Sequence, residues 1–328
     1  MRIHRGFLGW GIFLILAGSI PLAVRAGYLS GDQLRNVGSL WPLILVGIGV
    51  GLILSRTHYG FLGGFIVAAT FGAIVGGVLA GSVGGFDLGC GPGRATTAFE
   101  PRQGPLTGPS AAIDVDLSCG DLTVGVAPGT TWQVEGQDRD GQGPNIDAGN
   151  DSLRLSTRET DRGIFGALGD RQTWRVTLPD GPQLDTQLTL NAGSSTVNLA
   201  GANLGRFETT LNAGSTTVDL GSVRQIGSLD VKLNAGSITL TLPNLSVSGS
   251  FGVNAGSIEL CAAPDAGLRI QTDESIVSSY DFEGTGMTKN GSTWETPGFD
   301  TAAVKIDLRA HATAGSVSLN RSAGSCGG

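Results

Sequence analysis

Charge is scarce in this chain. Of its 328 residues only 15% are Asp, Glu, Lys or Arg, and the mean hydropathy is positive, a balance that points to a membrane portion. Histidine is scarcer: His4, His58 and His311 are the only three, and none has a metal-ligating neighbour at a useful spacing. The four cysteines form no CxxC pair, which removes zinc-ribbon and thioredoxin-type chemistry. No nucleophile elbow, His-Glu-x-x-His, phosphate-binding loop or dinucleotide fingerprint occurs. Together these absences predict a protein that is not an enzyme and holds neither metal nor cofactor.

Charge is missing altogether from three runs, Phe7–Val24, Val37–Leu54 and Phe61–Val83, of 18, 18 and 23 residues. Each is long enough to cross a bilayer as a helix, so residues 1–85 are predicted to form a transmembrane region with three spans at about 7–24, 37–54 and 61–83. With no ionisable residue inside them, a transporter or proton path is excluded. Glycines four apart, such as Gly47/Gly51 and Gly72/Gly76, would let these helices pack closely, although glycine is abundant throughout, with 54 in the chain. Basic residues are balanced across the spans, with Arg2, Arg5 and Arg56 on one side and Arg25, Arg35 and Arg94 on the other. The first span usually decides orientation, which places the N-terminus in the cytoplasm and everything after the third span outside.

Residues 86–110 are rich in Gly, Pro, Ala and Thr and read as an extended linker. Beyond the membrane region the chain carries 16 Lys and Arg against 27 Asp and Glu, an excess of negative charge unsuited to nucleic acid.

What the chain does have is glycine in register. Leu190-Asn191-Ala192-Gly193-Ser194 is followed by Leu211-Asn212-Ala213-Gly214-Ser215, Leu233-Asn234-Ala235-Gly236-Ser237 and Val253-Asn254-Ala255-Gly256-Ser257, with the glycines 21, 22 and 20 residues apart. Around each glycine, apolar residues hold every second position, as in Ile238, Leu240 and Leu242 after Gly236. That is the period of a half-buried strand. Each unit therefore reads as strand, corner, strand, and equivalent positions of successive units would stack into a solenoid of short parallel strands. Weaker units extend the register to Gly120, Gly149, Asp170 (with Trp174 and Val176), Glu274 (with Ile276 and Tyr280) and Gly315. The predicted fold class is thus membrane α-helices plus one all-β solenoid domain, residues 111–320, of about eight short-strand rungs, with a flexible tail at 321–328.

At the corners, Gly193, Gly214, Gly236, Gly256 and Gly315 would allow positive φ or close backbone approach. Asn191, Asn212, Asn234 and Asn254 would line one edge, where their amides can hydrogen-bond along the stack or bind a ligand. Calcium of the kind held by Asp-bearing nine-residue repeats is excluded, because these corners carry no Asp. Cys119, beside Gly120, falls in the inward small-residue column and reads as a buried thiol. Cys90 and Cys326 flank the domain and could pair only if linker or tail folds back; the pairing is left open.

Two breaks in the repeat are candidate interaction loops. Residues 162–172 place Ile164, Phe165 and Leu168 among polar neighbours, to dock on a partner or on the membrane, or to cap the domain. Residues 283–300 place Met287, Trp294 and Phe299 in a glycine-rich excursion.

The segment Asn36-Val37-Gly38-Ser39-Leu40-Trp41-Pro42-Leu43 resembles the Trp-Pro-Leu helix start of the LiaI/LiaF-like transmembrane region. The Asn-Ala-Gly-Ser units and the closing Ala312-Thr313-Ala314-Gly315-Ser316-Val317 resemble the adhesin-type toast-rack β-solenoid domains. Membrane helices first and β domain second is the order of LiaF-like bacterial membrane proteins. The resemblance implies a multi-pass membrane protein regulating an envelope-stress response, in that family by restraining a sensor histidine kinase, and it supplies no catalytic residues. The expected partners are therefore the bilayer and a sensor kinase or other envelope protein. The alternative is a structural or adhesive module that self-associates or contacts the cell surface.

Overall fold

The computed structural model describes residues 97–158, 171–273 and 278–321. The first group of strands is β1 (Thr97–Pro105), β2 (Ser110–Leu117), β3 (Gly120–Ala127), β4 (Thr131–Asp138), β5 (Asn145–Ala148) and β6 (Ser152–Ser156). After it come β7 (Gln172–Pro179), β8 (Gln183–Leu190), β9 (Gly193–Asn198), β10 (Asn203–Leu211) and β11 (Gly214–Asp219). Then β12 (Gln225–Thr241), β13 (Val247–Cys261), β14 (Gly267–Asp273), β15 (Ser279–Asp281), β16 (Thr288–Asn290), β17 (Thr293–Glu295) and β18 (Lys305–Asn320) complete the set. A single 3₁₀ turn at Phe299–Thr301 is the only helical segment among the described residues.

These strands make one 18-stranded sheet containing two parallel ladders. The first runs β6–β2–β8–β10–β12–β13–β18–β14. The second runs β7–β3–β9–β11–β12–β13–β18–β15. The long strands β12, β13 and β18 belong to both, so the sheet folds over at its corners into a nearly closed, barrel-like form. Alternate side chains from both ladders fill one interior, with Trp174, Phe207, Phe251 and Phe282 the largest fully buried side chains.

This topology corrects the expected fold class. The described chain is nearly all β and forms a continuous 18-stranded sheet, not three membrane helices followed by about eight equivalent solenoid rungs. The spans expected at 7–24, 37–54 and 61–83 lie outside the described residues, and among the described residues no helix is long and apolar enough to cross a membrane. Strand order departs from chain order at both ends. Gly120 pairs with Gln172 on one side and Gly193 on the other, so the corner expected at Asp170 falls two residues later. Leu153 and Leu155, expected to follow a corner at Gly149, instead pair with Ile113 and Val115 in the first ladder. At the far end β18 inserts between β13 and β14/β15, so Gly256 adjoins Gly315; Glu274 and Ile276, expected to mark a further unit, lie outside the described residues, and Tyr280 stands on β15 beside Val317. Residues 97–105, expected in the linker, form β1 and pair antiparallel with β4.

The corner column dictates the stacking. Gly193, Gly214, Gly236 and Gly256 have φ of 128°, 126°, 123° and 130°, a region that L side chains rarely adopt. A Cβ at each would land on the carbonyl oxygen of the glycine in the preceding rung. Conformation and close approach therefore both require glycine there.

Gly214→Ala is expected to destabilise the protein by on the order of 3 kcal/mol, from φ strain plus backbone overlap. Gly252→Ala, where an added Cβ meets nothing within 4 Å, is expected to change stability by less than about 0.5 kcal/mol. Urea denaturation of the two purified variants checks this, and equal midpoints would contradict it.

Candidate functional site

Each Asn-Ala-Gly-Ser corner presents its asparagine at the same point on the sheet, so the four carboxamides stack. Asn254 Nδ2 donates to Asn234 Oδ1 at 2.6 Å, Asn234 donates in turn to Asn212 Oδ1, and Asn212 Nδ2 donates to Asn191 Oδ1 at 2.6 Å. Asn191 Nδ2 then donates to Asp116 Oδ1 at 3.0 Å. The chain is directional: every amide gives its proton towards β2, and a carboxylate receives the last one. Such aligned hydrogen bonds polarise one another. Sequence spacing foresees the asparagine row but not its acceptor, because Asp116 belongs to a strand that is 75 residues away.

Asp116 lines a polar groove with a volume of roughly 690 Å³, together with Ser118, Asp140, Asn145, Thr157 and Arg158. Thr157 Oγ1 accepts the Ser118 N–H at 2.9 Å, and Arg158 Nε donates to Gly143 O at 2.9 Å. Burial raises the Asp116 carboxyl above its ordinary value, and repulsion from Asp114 adds to the effect. The Arg154 charge and the Asn191 hydrogen bond oppose it. The groove thus offers hydroxyl, amide and carboxylate groups for hydrogen bonding. Among the described residues no group of three His, Cys, Asp or Glu side chains is placed to hold a metal ion.

The predicted interaction loops fare differently. Ile164, Phe165 and Leu168 lie outside the described residues. Met287, Trp294 and Phe299 are described, and all three are buried. Trp294 meets Phe282 edge-on with ring centroids 5.5 Å apart, and the Arg269 guanidinium sits 4.0 Å over the Phe299 ring. The 283–300 excursion therefore turns its apolar side chains inward and covers the end of the sheet. His311 is exposed, with Nδ1 3.1 Å from Asp273 Oδ2.

The expectation of a buried thiol at Cys119 is also corrected. The residue is buried, at 1% exposure, but it is disulfide-bonded, as is Cys261. Cys90 and Cys326 lie outside the described residues.

Residues 109–242 match the family described as the N-terminal domain of toast_rack, DUF2154. No curated protein matches the chain. Among solved structures the chain is similar to a candidate cell adhesion protein from Clostridium sporogenes, at 14% identity and a TM-score of 0.48, over 70% of this chain and 100% of that one. It is also similar to a candidate adhesin from Bacteroides fragilis, at 12% identity and a TM-score of 0.27, with the same coverage.

Two outcomes test the ladder. Asn212→Ala removes one donor and one acceptor from a half-exposed row and is expected to cost about 1 kcal/mol in chemical denaturation; no loss would mean that water replaces the amide fully. For Asp116 the sign follows from its raised value. Between the ordinary aspartate range and the raised folded value, the folded state binds more protons than the unfolded one, so stability falls as pH rises through that window. Asp116→Asn retains an acceptor for Asn191 and is expected to raise the melting temperature at pH 7, with the gain shrinking as pH falls through the aspartate range. A lower melting temperature at pH 7 would show that the carboxylate hydrogen bond outweighs the burial cost.

Proposed function

We propose that this chain is a non-enzymatic envelope protein, anchored in the membrane by residues 1–85, whose β unit lies outside and makes adhesive or structural contacts through its lateral faces. The observation that carries this reading is the closure of both ends of the sheet. Exposed terminal strands are templates for end-to-end pairing, and here each is blunted. At one end β1 carries Pro101 and Pro105, and its pairing with β4 is broken by a register shift between Phe99 and Arg102. At the other, β15 and β16 have only three residues each, and Phe282, Trp294 and Phe299 are packed inside. Both features oppose filament formation and leave the sides of the sheet as the available surface.

Two further observations support the reading. Disulfides at Cys119 and Cys261 suit an oxidising, extracytoplasmic compartment. The match of residues 109–242 to the toast_rack N-terminal domain agrees with the β-domain half of the family resemblance. Restraint of a sensor kinase, and hence a role in envelope stress, is the narrower form of the same proposal; its support is the resemblance of the segment Asn36–Leu43 and the order of the two regions.

Photo-crosslinking in intact cells tests the proposal. A crosslinking residue at the exposed lateral position Thr196 is expected to capture a partner other than this chain and to be destroyed by protease added outside. Protection from that protease until lysis would overturn the placement. Self-crosslinks from Gln103 on the β1 edge, with none from Thr196, would overturn lateral recognition in favour of end-to-end assembly.

A further inference from the structure

The outward side chains of the first ladder form rows across the strands. One row runs Asp230, Ser250, Arg309 and Gln271 on β12, β13, β18 and β14. The next runs Lys232, Gly252, His311 and Asp273 on the same strands. The second row has a gap at Gly252, where the corresponding positions of β8 and β10 carry Thr189 and Thr210. An added Cβ at Gly252 would meet nothing within 4 Å. The missing side chain leaves a groove of roughly 460 Å³ whose walls are the neighbouring side chains.

Most of the charge on those walls is already paired. Lys232 Nζ lies 2.9 Å from Glu208 Oε1 and 3.6 Å from Asp230 Oδ1, and these contacts hold its ammonium in the charged form. Ser250 Oγ donates to Asp230 Oδ2 at 2.9 Å, and His311 meets Asp273 at 3.1 Å. Arg309 is different. Its guanidinium lines the groove and has no hydrogen-bond or ion-pair partner among the described residues, and neither does the carboxamide of Gln271 beside it. An unpaired arginine stands out in a region that carries 27 acidic residues against 16 basic ones.

We propose that the Gly252 groove binds a uronic-acid-type saccharide unit, its carboxylate held by Arg309 and its hydroxyls by Gln271, Asp230 and Asp273. Guanidinium is the planar two-pronged donor that a carboxylate matches. The flanking Asp230 and Asp273 oxygens accept hydrogen bonds from hydroxyls and disfavour a doubly charged phosphate by repulsion. The groove lies within the size range of small-molecule sites, and its openness on the sheet surface admits a unit that is still part of a polymer. This deepens the lateral-contact reading by naming a ligand class, and it rests on that reading.

The test uses purified full-length protein in detergent micelles at low ionic strength, titrated with sodium glucuronate and followed by saturation-transfer NMR. Saturable binding of glucuronate is expected, about tenfold or more tighter than that of glucose, because one charge-assisted pair is lost with the neutral sugar. Arg309→Gln is expected to weaken glucuronate by a similar factor. Gly252→Leu, which fills the groove, is expected to abolish binding, and the melting temperatures of both variants confirm folding. Equal binding of glucose and glucuronate, unchanged binding by Arg309→Gln, or no saturable binding would each overturn the assignment. Competition by acetate as strong as that by glucuronate would also overturn it, by reducing the groove to a carboxylate site. All of these outcomes are independent of crosslinking at Thr196, so failure here leaves lateral contact itself standing.

Discussion

Close backbone approach at the glycine column is the constraint on which the rest depends. The rungs meet where one glycine's missing Cβ makes room for the carbonyl of its neighbour, from Gly120 through Gly193, Gly214 and Gly236 to Gly256. That contact sets the register of both ladders at once, because each corner joins a first-ladder strand to a second-ladder strand. Register in turn decides which side chains face inward. Leu211, Val218 and Leu220 then share one interior with Leu233, Leu240 and Leu242, and the asparagines come within hydrogen-bonding distance of each other as a by-product of the same alignment.

The two outer faces of the sheet follow different rules because the two ladders carry different residues. Outward positions of the first ladder are rich in paired charge, with Arg206 and Lys232 on Glu208, and Arg269 beside Glu295, Asp300 and Asp307. Exposed pairs of this kind add little stability individually, so their value lies in where charge is left unpaired. In the second ladder Thr196, Thr217 and Thr239 align on successive strands, a face of hydroxyls next to the asparagine row. The sheet therefore presents two chemically distinct sides.

Much of this was legible before any coordinates. The alternation around Gly193, Gly214, Gly236 and Gly256 identifies strands and corners because period-two burial and positive φ leave direct marks on residue choice. Neighbour order was not legible. Every corner offers the same alternation, so nothing in the residues says that Gly256 pairs with Gly315 across an intervening excursion, or that Gly120 pairs with Gly193. The two-residue shift from Asp170 to Gln172 was hidden for the same reason, since the rung has no glycine to mark it. Trp294 and Phe299 are buried, which the sequence does not reveal because apolar residues in a glycine-rich loop look alike whether they turn outward or cover an end. Asp116 alternates with Asp114 and reads from the sequence as part of a solvated strand face, because its role as ladder terminus is a contact made 75 residues away.

Inter-strand crosslinking at the far end tests the central claim, that corner register and not chain order sets the stack. Ser257 and Ser316 are directly paired on β13 and β18, while Ser279 on β15 pairs with Ser316 from the other side. With cysteines placed in pairs and a short bis-maleimide, the 257/316 pair is expected to crosslink rapidly and the 257/279 pair slowly, since a whole strand separates them. Rapid linkage of 257 to 279 with none between 257 and 316 would mean that the rungs stack in chain order, and the account of the fold would fail.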